Sequence, residues 1–150
     1  TFSKTLNKFD NEHGYANSRA RLRMTTLYQV AAANKGIVVG TGNKVEDFGV
    51  GFYTKYGDGG VDISPIADCN KTEVWKLGKE LGILKEIIDA PPTDGLWDDG
   101  RTDEGQLGFK YSELEDAMGN PNSPHREQYE KIRNQNLHKM EPIPVCKIPS

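Results

Sequence analysis

The sequence predicts an α/β fold in which a parallel sheet is flanked by helices, and three observations carry that expectation. A stretch free of Gly and Pro, "ANSRARLRMTTLYQVAAANK" over residues 16–35, leads through Gly36 into the short β-branched run "IVVG". A loop over residues 40–60, "GTGNKVEDFGVGFYTKYGDGG", then holds seven glycines among Asn43, Lys44, Glu46, Asp47, Lys55 and Asp58. A second helical pattern follows from Asn70. Helix, tight turn, buried strand and glycine-rich loop, in that order, is the layout of a parallel sheet with helical crossovers.

Each element has a local reason. In the first helix Ala20, Met24, Leu27 and Ala31 recur at steps of three and four, which places them on one face, and Asn17 or Ser18 is available as a cap. Gly36 stops it, and "IVVG" has the continuous apolar character of a buried strand. "VDISPIADC" reads as a short extended segment limited by Pro65. "NKTE" at 70–73 offers a capping box, Asn70 with Glu73, ahead of a helix whose apolar face is Val74, Leu77 and Leu81. Asn70 also completes a formal glycosylation sequon, but a helix start explains the same residues better. Residues 89–110 show no period of either kind. Loops beyond about 12–15 residues are uncommon unless they bind, close over a site or are disordered. Trp97 argues against a free linker, because an aromatic needs something to pack on. Ser112 and Glu115 suggest another capping box, and Ser123-Pro124 opens a last polar helix through "HREQYEKIRNQN". The tail "EPIPVCKIPS" is extended.

Composition narrows the function. With 150 residues, of which 35% are hydrophobic, the chain is expected to be one domain or part of one. A net charge of -3 argues against general nucleic-acid binding. No apolar run approaches the ~20 residues of a membrane helix, and the first residues lack a signal-peptide core, so a soluble cytoplasmic protein is expected. Cys69 and Cys146 lack any metal-site spacing and read as reduced thiols, while His13, His125 and His138 are scattered.

In an open α/β sheet, ligands bind beyond the carboxyl ends of the strands, so the loop after "GIVVG" is where a site belongs. Gly40 and Gly42 would let backbone approach a phosphate, Thr41 offers a hydroxyl, and Glu46 is a hard oxygen ligand suited to magnesium. A glycine turn with solvated charges is the plainer alternative. Lys55, Asp58, Asp62 and Lys71 surround a second glycine cluster. Taken together they favour a nucleotide pocket, although each alone reads as a surface charge. Arg19, Arg21 and Arg23 alternate along the first helix and cannot all share one face, so at most one or two turn toward a site and the rest face solvent. No nucleophile with a neighbouring base is visible.

Longer stretches go further. "ANSRARLRMTTLYQVA", "GTGNKVEDFGVGFYTKYGDGGVDISPIADCNKTEVWKLGKELG", "APPTDGLWDDGRTDEGQLGFKYSELEDAM" and "HKMEPIPV" together resemble the C-terminal part of bacterial NAD synthetases. The resemblance implies the N-type ATP pyrophosphatase fold, of the adenine-nucleotide alpha hydrolase-like kind. It implies a homodimer, and a ligase that adenylates deamido-NAD with ATP and magnesium before ammonia displaces AMP. By position it makes Thr41, Lys71 and Thr93 ATP contacts and Glu46 the magnesium ligand. It makes Arg21, Lys55, Asp58, Asp62, His138 and Lys139 deamido-NAD contacts, and residues 89–110 a loop that orders over the substrates. The family's Ser-Gly-Gly-x-Asp-Ser phosphate loop does not occur in these 150 residues. The expectation is therefore the C-terminal part of a single synthetase domain without its N-terminal phosphate-loop segment. Two alternatives stay open: the synthetase part of a glutamine-using form, and a fragment that binds nucleotide or dimerises without catalysing.

Overall fold

The computed structural model describes residues 2–148. Helix α1 (Phe2–Leu6) runs into a 3₁₀ turn, Asn7–Phe9, ahead of the long α2 (Glu12–Ala33). A π-helical turn, Val45–Val50, precedes α3 (Lys71–Glu80), α4 (Lys85–Ile88), α5 (Asp103–Leu107), α6 (Tyr111–Gly119) and α7 (Arg126–Met140). No described helix is long and apolar enough to cross a membrane.

Helix α2 begins four residues before the expected start, because Asn11 rather than Asn17 or Ser18 caps it: the Asn11 side chain accepts from Gly14 N–H at 2.7 Å. Its end is also shifted by one. Lys35, not Gly36, takes the left-handed conformation (φ 53°), and Gly36 N–H closes back onto Ala31 O at 2.8 Å. Of the expected apolar face, Ala20 is buried together with Ala16, whereas Leu27 is exposed. The helix therefore packs through its N-terminal half.

The expected sheet is reduced to one contact. Val39 and Ile63 form a parallel bridge, with Gly40 N–H donating to Ile63 O at 2.7 Å and Asp62 N–H to Val38 O at 2.9 Å. The parallel direction expected of "IVVG" and "VDIS" is present, but among the described residues no strand extends it into a sheet. The two segments pair only with each other, and Ile37, Val39 and Ile63 are left exposed. Glycine is needed at position 40 by this approach: a Cβ there would lie 2.9 Å from Val61 Cγ2 and 3.1 Å from Ile63 O.

The main core joins the π-helical turn to α5, α6 and α7. Val45, Val50, Leu107, Phe109, Tyr111, Leu114, Ala117 and Tyr129 are buried together. A smaller cluster of Ala16, Ala20 and Leu96, with Trp97 against it, joins α2 to the 89–110 segment. One of the expected capping boxes changes partners. Glu113, not Glu115, caps α6, accepting from Lys110 N–H at 2.8 Å. Glu115 is taken by α3, where its oxygens accept from Thr72 N–H at 3.0 Å and Thr72 Oγ1 at 2.7 Å. At α3 the anticipated Asn70–Glu73 box closes through Glu73, which accepts from Asn70 N–H at 2.7 Å. Asn70 Oδ1 is buried without a partner. Helix α7 starts at Arg126, two residues past Pro124, and runs on to include His138 and Lys139. Cys69 and Cys146 are free thiols.

Candidate functional site

The glycine-and-charge segment is less of a loop than its composition implies. Asn43, buried, turns its Oδ1 back to accept from Val45 N–H at 3.0 Å and Glu46 N–H at 3.1 Å, which starts the π-helical turn. Single π turns recur at functional sites because the wider turn re-aims a side chain. Here it directs Glu46 inward. Gly51, at φ 66°, ends the turn with its N–H on Glu46 O. The space over Gly42 is not open to a ligand, since a Cβ there would collide with the Asp47 carboxylate.

Glu46 is the centre of the first cluster. Its Oε1 accepts from the Tyr111 hydroxyl and from Lys71 Nζ at 3.3 Å. The Lys71 and Glu46 side chains are 20% and 13% exposed, so this pair is largely shielded from water. Lys71 Nζ also sits 4.9 Å from the Tyr111 ring centroid. Tyr111, 1% exposed, brings its hydroxyl up from the main core. Burial first, and then the Glu46 carboxylate, raise its pKa. Asp103, 8% exposed, lies in the same electrostatic neighbourhood: burial, then Glu46 and Asp94, push its carboxyl up to about 6, and its Oδ1 has no hydrogen-bond partner. Asp47 is pushed up to about 6 by burial, then by Glu46 and Asp58.

This donor set suits a hard divalent cation in one respect. Glu46 Oε2 accepts only one long hydrogen bond, from Asn43 N–H at 3.4 Å, so it is the less committed of the two oxygens and the one available to a ligand. Among the described residues no group of three or more His, Cys, Asp or Glu is gathered as a cage. Magnesium does not need one, because it keeps several waters and takes one or two carboxylates plus substrate phosphates. Glu46, with Asp103 near it, fits that pattern.

The second cluster joins residues 51–55 to the end of α7. Lys139 Nζ donates to Gly51 O and Tyr53 O, both at 2.8 Å, and Tyr53 Oη returns a bond to Lys139 O at 2.6 Å. Lys55 Nζ reaches His138 O at 2.5 Å, and Arg21 Nε donates to Lys55 O at 3.2 Å. Arg21, Lys55, His138 and Lys139 are thus neighbours despite their separation in sequence. Burial lowers the Lys139 pKa. The other predicted residues are more dispersed. Asp58 accepts from Thr54 N–H at 2.9 Å and lines two cavities, of about 270 and 250 Å³. Thr41 is exposed and lines the smaller one. Asp62 has both oxygens engaged, by Val38 N–H at 2.7 Å and the Tyr28 hydroxyl at 3.2 Å. The Thr93 hydroxyl closes a turn, donating to Arg101 O at 3.2 Å and accepting from Gly95 N–H at 3.3 Å.

The 89–110 segment, which lines the cavity of about 270 Å³ together with Asp58 and Lys139, is held rather than free. Arg19 donates to Leu96 O at 2.5 Å, and Arg23 to Asp94 O at 3.1 Å and Gly95 O at 2.8 Å. Arg21, between them in sequence, faces Lys55 instead, as the alternation along a helix requires. Trp97 meets His13 edge-on at 5.1 Å and carries Arg101 at 4.0 Å from its ring centroid. Sequence reasoning did not single out Tyr111 or Asp103, and it considered Arg19 and Arg23 only as alternating with Arg21 along the first helix. Only the arginines left a signal, a same-face i, i+4 pair.

The family model described as NAD synthase matches residues 1–148. An NH(3)-dependent NAD(+) synthetase of Carboxydothermus hydrogenoformans is 50% identical over 100 residues, which cover 67% of this chain and 40% of that protein. One of Alkaliphilus oremlandii is 43% identical over 135 residues, covering 89% of this chain and 53% of that protein. The chain thus spans about half the length of the curated relatives it matches. Among solved structures, that of an NMN synthetase from Francisella tularensis superposes with a TM-score of 0.89 at 36% identity, over 98% of this chain and 62% of the other. An NH3-dependent NAD synthetase from Campylobacter jejuni, at a TM-score of 0.68 and 23% identity, shares the fold.

Proposed function

The chain belongs to the NAD synthase family, and from that premise we propose that it supplies the metal and dinucleotide side of a ligase that amidates deamido-NAD to NAD. ATP, magnesium and ammonia are the other reactants, and AMP and pyrophosphate leave. The observation that carries this reading is Glu46, held by Tyr111 and Lys71 through one oxygen and only by a long bond from Asn43 N–H at the other. Such a carboxylate presents a single hard ligand beside an ammonium, the combination a nucleotide triphosphate with its cation needs.

The chain's own residues have distinct tasks in this scheme. Glu46 orients the cation, and Lys71 offers its ammonium to phosphate oxygens. Magnesium, when bound, neutralises the charge that grows on departing pyrophosphate. Adenylation requires no protein nucleophile, because the substrate carboxylate attacks the α-phosphate itself. That matches the lack of any nucleophile-and-base pair in the sequence. Arg21, Lys55, Asp58 and His138 face the dinucleotide. Asp62 is proposed to join them, and Thr41 and Thr93 to contact ATP beside Lys71. Asp62 and Thr93 must give up a present hydrogen bond to do so. The 89–110 segment excludes water from the acyl adenylate, which hydrolyses readily. The protein works in the cytoplasm as a homodimer.

A second reading, amidation at the mononucleotide level, is favoured by the TM-score of 0.89 to an NMN synthetase. One experiment addresses both. The protein carrying this chain is offered deamido-NAD or nicotinic acid mononucleotide with ATP, magnesium and ammonium, and products are separated by chromatography. NAD with equimolar AMP from the dinucleotide supports the first reading. NMN formed in preference supports the second, and neither product removes both. Glutamine in place of ammonium tests the remaining nitrogen source.

A further inference from the structure

Lys71 stands where two roles conflict. As a phosphate contact its ammonium should face the nucleotide, yet it lies 3.3 Å from Glu46 Oε1 and is 20% exposed. An ammonium drawn that far from water needs a counter-charge, and Glu46 is its ion-pair partner. The same carboxylate is the ligand proposed above for a divalent cation, and its Oε1 is held on the other side by Tyr111. A cation arriving at Oε2 therefore meets a positive charge already seated on the same group.

We infer that Lys71 is a resident counter-charge of Glu46, exchanged for the divalent cation when nucleotide binds. The inference rests on the metal role proposed for Glu46. Its logic is electrostatic. While Lys71 holds Glu46, a cation without nucleotide is repelled and only half of the carboxylate's charge is on offer. When phosphate oxygens are present, Lys71 has a second anion to pair with, and the cation takes its place on Glu46. Neither charge is then left buried and alone. Cation and nucleotide each bind better in the presence of the other, and the linkage is reciprocal. Tyr111 keeps Oε1 satisfied throughout, so the carboxylate need not reorient during the exchange.

The test is Mn²⁺ binding followed by electron paramagnetic resonance on the chain, with and without ATP. Lys71→Met should bind Mn²⁺ alone at least about threefold more tightly than the unaltered chain, the scale of one partly buried charge contact. It should also lose most of the strengthening of Mn²⁺ binding that ATP brings. Lys71→Arg keeps the charge and should leave Mn²⁺ affinity near the original. Glu46→Gln should abolish the site. Unchanged or weaker Mn²⁺ binding by Lys71→Met, with Glu46→Gln still inactive as a ligand, overturns the exchange and leaves the metal role standing. Retained binding by Glu46→Gln, or none by any of these proteins, overturns both. Circular dichroism checks that each variant folds, and Lys71→Gln serves the same purpose if the Met variant does not.

Discussion

Two lysines of this protein make opposite use of the same ammonium group. Lys71 is paired with a carboxylate, Glu46, and Lys139 with two backbone carbonyls, those of Gly51 and Tyr53. A carboxylate can be offered another cation, so the first contact is exchangeable. Two carbonyls at 2.8 Å, with the Tyr53 hydroxyl returning a bond to Lys139 O, make the second a clasp between α7 and the segment after the π-helical turn. The difference teaches that a cation near a pocket is a ligand contact in proportion to how replaceable its present partner is. Lys139, expected from the family resemblance to meet the dinucleotide, has two of its three donors committed to the fold.

That contrast can be broken by substitution, and the largest effect belongs to Glu46. In the proposed ligase Glu46→Gln should lower turnover by about 100-fold or more while the melting temperature changes little, because an oriented ligand carboxylate serves the transition state. Magnesium titrations of the rate check this, and an unchanged magnesium dependence would rule the role out. Lys139→Met should behave the other way round. Losing two charge-assisted hydrogen bonds should cost about 1.5–3 kcal/mol of stability by urea unfolding, with turnover per folded molecule much less affected. A Lys139→Met protein that is fully stable but no longer binds dinucleotide would erase the distinction.

Smaller effects sharpen it at the covering segment. Arg23→Ala removes the bonds to Asp94 O and Gly95 O, and should raise amide exchange at 94–97 with a stability loss of about 1 kcal/mol. The smallest effect is acid titration of the exposed Asp99–Arg101 pair. The Arg101 guanidinium lowers Asp99 to about 2 from an ordinary 3.8. The pair's contribution is therefore complete above 3.8 and is lost as pH falls through 2. Arg101 lies over Trp97, so Trp97 fluorescence in a Trp75→Phe background should change across that window. The change should vanish in Asp99→Asn.

What the sequence made legible was local. The existence of α2 and α3 followed from apolar spacing, with a capping box for α3, and that of α7 from Ser123-Pro124, and the parallel sense of "IVVG" and "VDIS" survives in the Val39–Ile63 bridge. The rest was decided at a distance. Whether an extended segment becomes part of a sheet depends on neighbours it must find, and each of these has one. Glu115 looked like a cap for α6 but is taken by Thr72 of α3, since a carboxylate bonds to whichever donor the fold brings. The π-helical turn has no hydrophobic period to read, and it depends on the buried Asn43 side chain. Tyr111 is separated from Glu46 by 65 residues, and only the packing of α6 against the turn unites them. For Glu46 and Lys71 the family resemblance gives the roles of metal ligand and ATP contact, and the fold alone brings the two side chains into an ion pair.

The central claim is that Lys71 and Glu46 are each other's partner in the resting molecule. A double-mutant cycle on the metal-free chain, with Glu46→Gln, Lys71→Met and the two combined, measures this by urea unfolding. The double variant should be less destabilised than the sum of the single ones by about 0.5–1 kcal/mol or more, because each single change strands a shielded charge that the other removes. Strict additivity would contradict the claim.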